Sequence, residues 1–320
     1  MADSTGATLL TLADIQAAQV RIGPYVHRTP VLTSASLDAV LGARLFFKCE
    51  NFQKVGAFKA RGAHNAVMSL DEAQARRGVV THSSGNHGAA VALAARNRGI
   101  PACVVMPQSA AAVKQAAVAR YGAQVTLCAP TLAARESTAQ RIVDATGAHF
   151  VHPYNDVRVM AGQGTTALEL LEELPDLEAI VCPVGGGGQL SGVAVAAKAL
   201  SGRIRVIGAE PALADDARRS LLSGTLLPAA DPPTICDGLR SSLGDLTFAL
   251  IRAHVDDIVT AQEETIIAAM RLVWEVMKIV IEPSAAVAVA VLLERALPVS
   301  GQRVGIILSG GNVDLERLPW

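Results

Sequence analysis

Short, continuously apolar runs alternate along this chain with longer Ala-rich stretches. Gly78 to His82, Ala102 to Pro107, Gln124 to Leu127, Ala179 to Pro183, Arg205 to Ala209 and Val304 to Leu308 read as strands. Helices are expected from Gly88, around Lys114 and around Glu136. Strands that are apolar at every position, rather than every second one, must be covered on both faces. The pattern therefore predicts an α/β fold with mostly parallel sheets between helices. In such open sheets ligands collect beyond the carboxyl ends of the strands. Ser83-Ser84-Gly85-Asn86, Gly185 to Gly188, Glu210 and Ser309-Gly310-Gly311-Asn312 all fall at strand exits, so these loops are expected on one side of the fold. Pro153 to Asp156, followed by Gly162-Gln163-Gly164, reads as a crossing between lobes. The apolar run Val287 to Leu293 is too short to span a bilayer and is expected to be a buried helix. Ile266 to Met277 suits either a subunit interface or internal core.

Composition narrows the picture. A chain of 320 residues exceeds the usual single-core limit of roughly 250–300 and predicts one large domain with a smaller lobe. With 51% hydrophobic and 18% charged residues, a sizeable core is available. A net charge of −1 with no long basic run gives no electrostatic footprint for nucleic acid or an anionic membrane, so a small neutral or zwitterionic ligand fits better. Cys49, Cys103, Cys128, Cys182 and Cys236 are odd in number and contain no Cys-x-x-Cys pair. That argues against a disulfide framework or structural zinc and suits a reducing cytoplasm. The N-terminus carries no positive region before Leu9-Leu10-Thr11-Leu12, so no signal peptide is read.

The chemistry sits in two places. Lys59 lies in Gly56-Ala57-Phe58-Lys59-Ala60-Arg61-Gly62, and much later an apolar strand runs into Gly185-Gly186-Gly187-Gly188. A lysine amine can hold an aldehyde cofactor as a Schiff base, and residues without Cβ let backbone N–H groups close around a phosphate at a helix start. Alone, such a lysine is usually a solvated surface residue and such a glycine run a loop; the pairing carries the weight. Ser83 to Asn86 reads as a helix cap that can also take an anion. Acidic residues around Glu210 and Asp216 are by themselves dipole-favoured caps. His82 and His87 have no third metal ligand at useful spacing, which leaves structural or substrate-loop roles. Arg135 and Arg240 are either solvated helix and loop residues or receivers of a carboxylate on a bound ligand.

The chain resembles the fold-type II pyridoxal phosphate enzymes, in their serine/threonine dehydratase and serine racemase branch, with hydroxyaspartate dehydratases as near relatives. The resemblance rests on ordered motifs that run nearly end to end. These are His27-Arg28-Thr29-Pro30, Phe47-Lys48-Cys49-Glu50-Asn51-Phe52-Gln53, Phe58-Lys59-Ala60-Arg61-Gly62-Ala63, Ser83-Ser84-Gly85-Asn86-His87-Gly88, Ala161-Gly162-Gln163-Gly164-Thr165, the tetraglycine, Asp237-Gly238, Glu282-Pro283-Ser284-Ala285 and Ser309-Gly310-Gly311-Asn312-Val313-Asp314-Leu315. The likeness to serine racemase is strongest in Ser241-Ser242-Leu243-Gly244 and Leu272-Val273-Trp274-Glu275.

The resemblance implies two open, mostly parallel sheets flanked by helices, with a large cofactor-binding domain from 1–77 and 155–320 and a small domain from 78–154. It implies that Lys59 binds pyridoxal 5′-phosphate and, once released by substrate, abstracts the Cα proton. Phe58 would pack near the cofactor ring, Asn86 would bond its 3′-oxygen, Gly185 to Gly188 would hold the phosphate and Ser309 would face the pyridine nitrogen. Ser83, Ser84, Asn86 and His87 would take the substrate α-carboxylate, and Arg135 is a candidate for its distal end. Ser84 would exchange a proton on the cofactor face opposite the lysine, which permits racemisation. Glu210, the Ala214 carbonyl and Asp216 resemble a site for Mg²⁺, Mn²⁺ or Ca²⁺, hard cations that take oxygen ligands. A homodimer is expected by analogy. Lys54, Lys114 and Tyr121 match the nucleotide site of animal serine racemases, but Val55 and Ala89 replace more polar residues there, so nucleotide activation is not expected. Feedback control through the regulatory domain of biosynthetic threonine dehydratases is not expected.

The expected activity is dehydration of L-serine or L-threonine to a 2-oxo acid and ammonia. Serine racemisation and 3-hydroxyaspartate dehydration are close alternatives, and β-replacement a more distant one. A non-catalytic binding module predicts loss of Lys59, the tetraglycine or Ser309, and none is lost.

Overall fold

The computed structural model describes residues 9–83, 85–110, 112–229 and 232–320, with the side chains of 112–114 left aside. Its strands are β1 (Val31–Leu32), β2 (Arg44–Cys49), β3 (Val79–His82), β4 (Ala102–Pro107), β5 (Gln124–Cys128), β6 (His149–Phe150), β7 (Ala179–Pro183), β8 (Arg205–Pro211), β9 (Asp257–Ala261) and β10 (Arg303–Leu308). The helices are α1 (Leu12–Ile22), α2 (Ala35–Leu41), α3 (Lys59–Met68), α4 (Glu72–Arg77), α5 (Asn86–Arg98), α6 (Ala112–Arg120), α7 (Leu132–Thr146), α8 (Val157–Glu173), α9 (Gly188–Leu200), α10 (Asp216–Ser223), α11 (Asp245–His254), α12 (Glu263–Met277) and α13 (Pro283–Leu293).

Two sheets result. One has six strands in the order β1-β2-β10-β7-β8-β9, and the other four in the order β5-β4-β3-β6. Every pairing is parallel except β1 with β2. This is the α/β arrangement that the continuous apolar strands predicted: β3, β7 and the inner part of β10 are buried throughout. One core joins the six-stranded sheet to α12 and α13, and a second packs α1, α8, α9 and α11 on its other face. Val287 to Leu293 lies within α13, which is buried from Ser284 to Leu292. Ile266, Ala269, Met270 and Val273 of α12 also turn inward, so the inner stripe of that helix is core.

Local signals set the boundaries. Thr131 caps α7 by accepting from the Ala134 N–H, and Gly147 ends it at φ 67°, a left-handed conformation that glycine adopts freely. Pro283 opens α13 at a position where its missing N–H costs nothing. The crossing between sheets is the short segment after β6, ending at Asp156, which caps α8. Gly162 and Gly164 lie inside α8 rather than in the crossing, which corrects that expectation. Their small size serves packing: a Cβ on Gly162 would come 2.6 Å from the Arg61 carbonyl oxygen and one on Gly164 2.8 Å from that of Gly192. Helices α3, α8 and α9 can therefore approach closely.

Candidate active site

Lys59 opens α3, and no side chain caps that helix. Its entry is set by main-chain pairing to the exit of β10: Ala57 and Gly310 form an antiparallel bridge, and the Phe58 N–H donates to the Ser309 carbonyl at 3.0 Å. Gly56 (φ 70°) allows the turn, and a Cβ there would collide with the Asn312 amide at 2.6 Å. Val55 takes φ 57°, a strained value for a β-branched residue, immediately before the lysine loop.

The Lys59 Nζ donates to the Pro153 carbonyl at 2.8 Å and lies 5.2 Å from the centroid of the Phe58 ring. Burial lowers its pKa to about 8, with the nearby negative charge of Glu282 opposing that shift. A lysine in this state can act as nucleophile and base near neutral pH. Around it lie neutral imidazoles. Burial first, then nearby positive charges, bring His82 and His152 down to about 4, and His87 is pushed well below its ordinary value for the same reasons. The His87 ring nitrogen Nε2 faces the Val151 carbonyl at 3.3 Å, while Nδ1 has no partner among the described residues.

Asn86 starts α5 with its amide held from both sides. Its Nδ2 donates to the Glu282 carboxylate at 3.0 and 3.2 Å, and its Oδ1 accepts from Asn312 Nδ2 at 2.9 Å. Glu282 also accepts from the Asn312 N–H at 3.1 Å. Sequence motifs alone do not place the Glu282 side chain against Asn86; the nearest signal is its N-cap position before Pro283. Ser83 accepts from the Gly85 N–H at 3.2 Å. Ser84 lies outside the described residues.

The tetraglycine joins β7 to the start of α9, where no side chain caps the helix. The first N–H groups of a helix have no partner within it and form an anion site. Side chains here are excluded sterically: a Cβ on Gly186 would strike the Tyr154 ring at 2.3 Å, and Gly187 sits at φ 87°. This glycine cradle and the amine of Lys59 match what a phosphate-bearing aldehyde requires. Ser309 is buried at the carboxyl end of β10.

Arg135, half-buried on α7, acts electrostatically on His82 and Tyr154 and has no carboxylate partner among the described residues. Tyr154 makes an edge contact with His152 at 4.7 Å, which puts this group beside the Lys59 cleft. Arg240 instead donates to the Thr234 carbonyl and is exposed.

Glu210, at the end of β8, accepts from the N–H groups of Ala217 and Arg218 at 2.9 Å each, so it caps α10. Burial nevertheless raises its carboxyl to about 8, and burial raises that of Asp216 to about 6. Neither carboxyl oxygen of Asp216 has a partner among the described residues. Of the two, only Asp216 therefore keeps unused oxygens, with the buried Ala214 nearby, and among the described residues no group of three or more His, Cys, Asp or Glu side chains gathers to hold a metal ion.

The pattern of the pyridoxal-phosphate dependent enzyme family matches residues 22–310. The chain belongs to that family. It is 50% identical over 310 residues to the β-hydroxyaspartate dehydratase of Paracoccus denitrificans, covering 97% of this chain and 98% of the relative. It is 51% identical over 312 residues to the serine racemase of Arabidopsis thaliana, covering 96% and 94%. The crystal structure of serine racemase from Dictyostelium discoideum superposes with a TM-score of 0.93 at 48% identity, covering 96% of this chain and 100% of that one. The chain is thus a pyridoxal phosphate-dependent enzyme of the fold-type II class. Among the described residues no helix is long and apolar enough to cross a membrane.

Proposed function

We propose that this enzyme is an ammonia-lyase that converts L-serine or L-threonine to a 2-oxo acid and ammonia, with serine racemisation as a companion activity. The observation that carries the reading is the Lys59 amine, bonded to the Pro153 carbonyl at 2.8 Å while the next residue, Tyr154, packs against Gly186 and Gly188 of the uncapped glycine cradle. Bound pyridoxal phosphate would supply an electron-withdrawing ring that acidifies the Cα–H of a linked amino acid. Gly185 to Gly188 would hold its phosphate through N–H groups, with Phe58 near the ring, Asn86 toward the 3′-oxygen and Ser309 toward the ring nitrogen. Ser83, His87 and the N-terminus of α5 take the α-carboxylate. Lys59, freed when the substrate amine replaces it, removes the Cα proton as a neutral amine. The electron pair of that C–H bond expels the β-hydroxyl, which leaves as water after gaining a proton. Hydrolysis of the remainder gives 2-oxo acid and ammonia. Proton exchange on the opposite face falls to Ser84, an assignment that rests on sequence alone.

Arg135 favours a second reading, 3-hydroxyaspartate as substrate. A half-buried guanidinium without a carboxylate partner among the described residues suits a second substrate carboxylate, and a 50% identical relative is named for that substrate. Glu210, the Ala214 carbonyl and Asp216 would hold Mg²⁺, Mn²⁺ or Ca²⁺; no step of the reaction runs through the ion. The division at 78–154 and a homodimeric assembly complete the proposal.

The test is to trap the cofactor with borohydride and map it, then to assay L-serine, D-serine, L-threonine and the 3-hydroxyaspartate isomers for 2-oxo acid and enantiomer composition. Label on Lys59 with 2-oxo acid from serine or threonine supports the first reading. Turnover confined to hydroxyaspartate, lost in Arg135→Ala, selects the second. No turnover of any of them refutes both.

A further inference from the structure

Motifs to which the sequence reading gave no chemistry converge on one side chain, Arg61, two residues beyond Lys59. The guanidinium is fully buried and bonded on all sides. Its Nε and Nη2 donate to the two Glu50 oxygens at 2.8 Å each, and Nη1 and Nη2 donate to the two Glu169 oxygens at 2.7 and 2.8 Å. Thr165 Oγ1 accepts from Nη1 at 3.1 Å. Lys48 Nζ donates to Glu169 at 2.6 Å and to the Thr29 carbonyl at 2.7 Å, and the Thr29 hydroxyl donates to Glu50 at 2.5 Å. Thr29, Lys48 and Glu50, Arg61, and Thr165 thus bring together the chain before β1, the end of β2, the first turn of α3 and the middle of α8. Two cations and two carboxylates balance at side-chain exposures of 7% or less.

We propose that Arg61 is a positioning residue for Lys59, its double carboxylate fork fixing the axial position and rotation of the first turn of α3. This rests on the proposed role of Lys59. The helix start needs such a device because no side chain caps it and the loop before it contains strained Val55. A fork held by two bidentate pairs fixes orientation as well as distance, which a lysine point charge does not. Glu50 comes from the sheet and Glu169 from α8, so the turn is referenced to both elements. Proton transfer and imine chemistry at Nζ depend steeply on placement, and a displacement of 1 Å in such a site costs about 10²-fold in rate.

The experiment compares Arg61→Lys, Thr165→Val and a control, Val67→Ala, which removes buried volume farther along the same helix. Each protein is stripped of cofactor, and the rate at which added pyridoxal phosphate becomes borohydride-fixable on Lys59 is measured beside thermal unfolding, kcat and KM. The expected result is that Arg61→Lys slows capture and lowers kcat about 10²-fold at unchanged KM. Thr165→Val, close in shape and expected to fold, changes both in the same direction by a smaller factor, while Val67→Ala lowers only the unfolding temperature. Capture as fast as wild type in both Arg61→Lys and Thr165→Val overturns the proposal. So does a slowing that merely tracks loss of stability across all three proteins. Should the wild type fail to fix the cofactor at Lys59, the role assigned to that lysine falls first, and the positioning role with it.

Discussion

Two buried acidic regions, one around Glu169 and one around Glu210 and Asp216, hold carboxyls shifted in opposite directions. Beneath α3, burial alone would raise Glu169, but the donors of Arg61 and Lys48 overcome it and hold the carboxyl below its ordinary range. At the end of β8, burial acts on Glu210 and Asp216 with only backbone donors and weak charges against it, and both are raised. The first region has matched each buried carboxylate with charge-assisted hydrogen bonds; the second has left the oxygens of Asp216 without partners among the described residues. Burial by itself therefore does not set the direction in which an acid shifts; the number and charge of the donors facing it do.

Breaking the first region has the largest expected effect. Arg61→Met leaves Glu50 and Glu169 facing Lys48 alone, so buried charge goes uncompensated and stability falls by about 3–5 kcal/mol in denaturant unfolding. A loss below about 1 kcal/mol would mean that water or rearrangement satisfies the two acids.

The second region is sharpened by adding an ion. Magnesium at about a hundred times its dissociation constant stabilises a specific site by about 2.7 kcal/mol. Asp216→Asn should abolish that response while Glu169→Gln leaves it intact. An equal magnesium effect on the Asp216→Asn protein would show that the ion binds elsewhere.

Acid separates the regions again. Glu169 has a folded pKa below its unfolded value, so its contribution is fully present above the ordinary carboxylate value of 4.5 and is lost as pH falls through the lower folded value. An acid unfolding series should show this dependence, flattened in Glu169→Gln. Unchanged acid sensitivity in that variant would assign the loss to other carboxylates.

What was legible in the sequence follows the same division. Elements whose reason is local were readable: Val79 to His82 as a buried strand, the tetraglycine before α9 and the Lys59 loop. Strands β1, β2, β6 and β9 escaped: β1 and β6 because two residues carry no periodicity, β2 and β9 because Arg44, Lys48, Asp257 and Thr260 bound or interrupt their apolar runs; Gly162 and Gly164 were misplaced because glycine marks close helix packing as readily as a turn. Arg61, Glu50 and Glu169 were beyond reach for another reason: Glu169 is 108 residues from Arg61, and no local rule pairs them. Asn86 was named as a site residue, but its orientation depends on Glu282, 196 residues away.

Lys59 is a half-buried amine whose Nζ donates to the Pro153 carbonyl at 2.8 Å, with the negative charge of Glu282 acting on it. Its pKa of about 8 means that the neutral amine accumulates as pH rises to that value and is nearly complete beyond it. Cofactor capture by the stripped protein should therefore climb with pH and level off above about 8, whereas an ordinary lysine would keep gaining toward 10.5. Glu282 opposes the shift, so Glu282→Gln should move the midpoint to lower pH. A midpoint that stays in place would mean that desolvation alone sets the amine. A midpoint that rises would contradict the sign of the Glu282 charge and place a different anion beside the lysine.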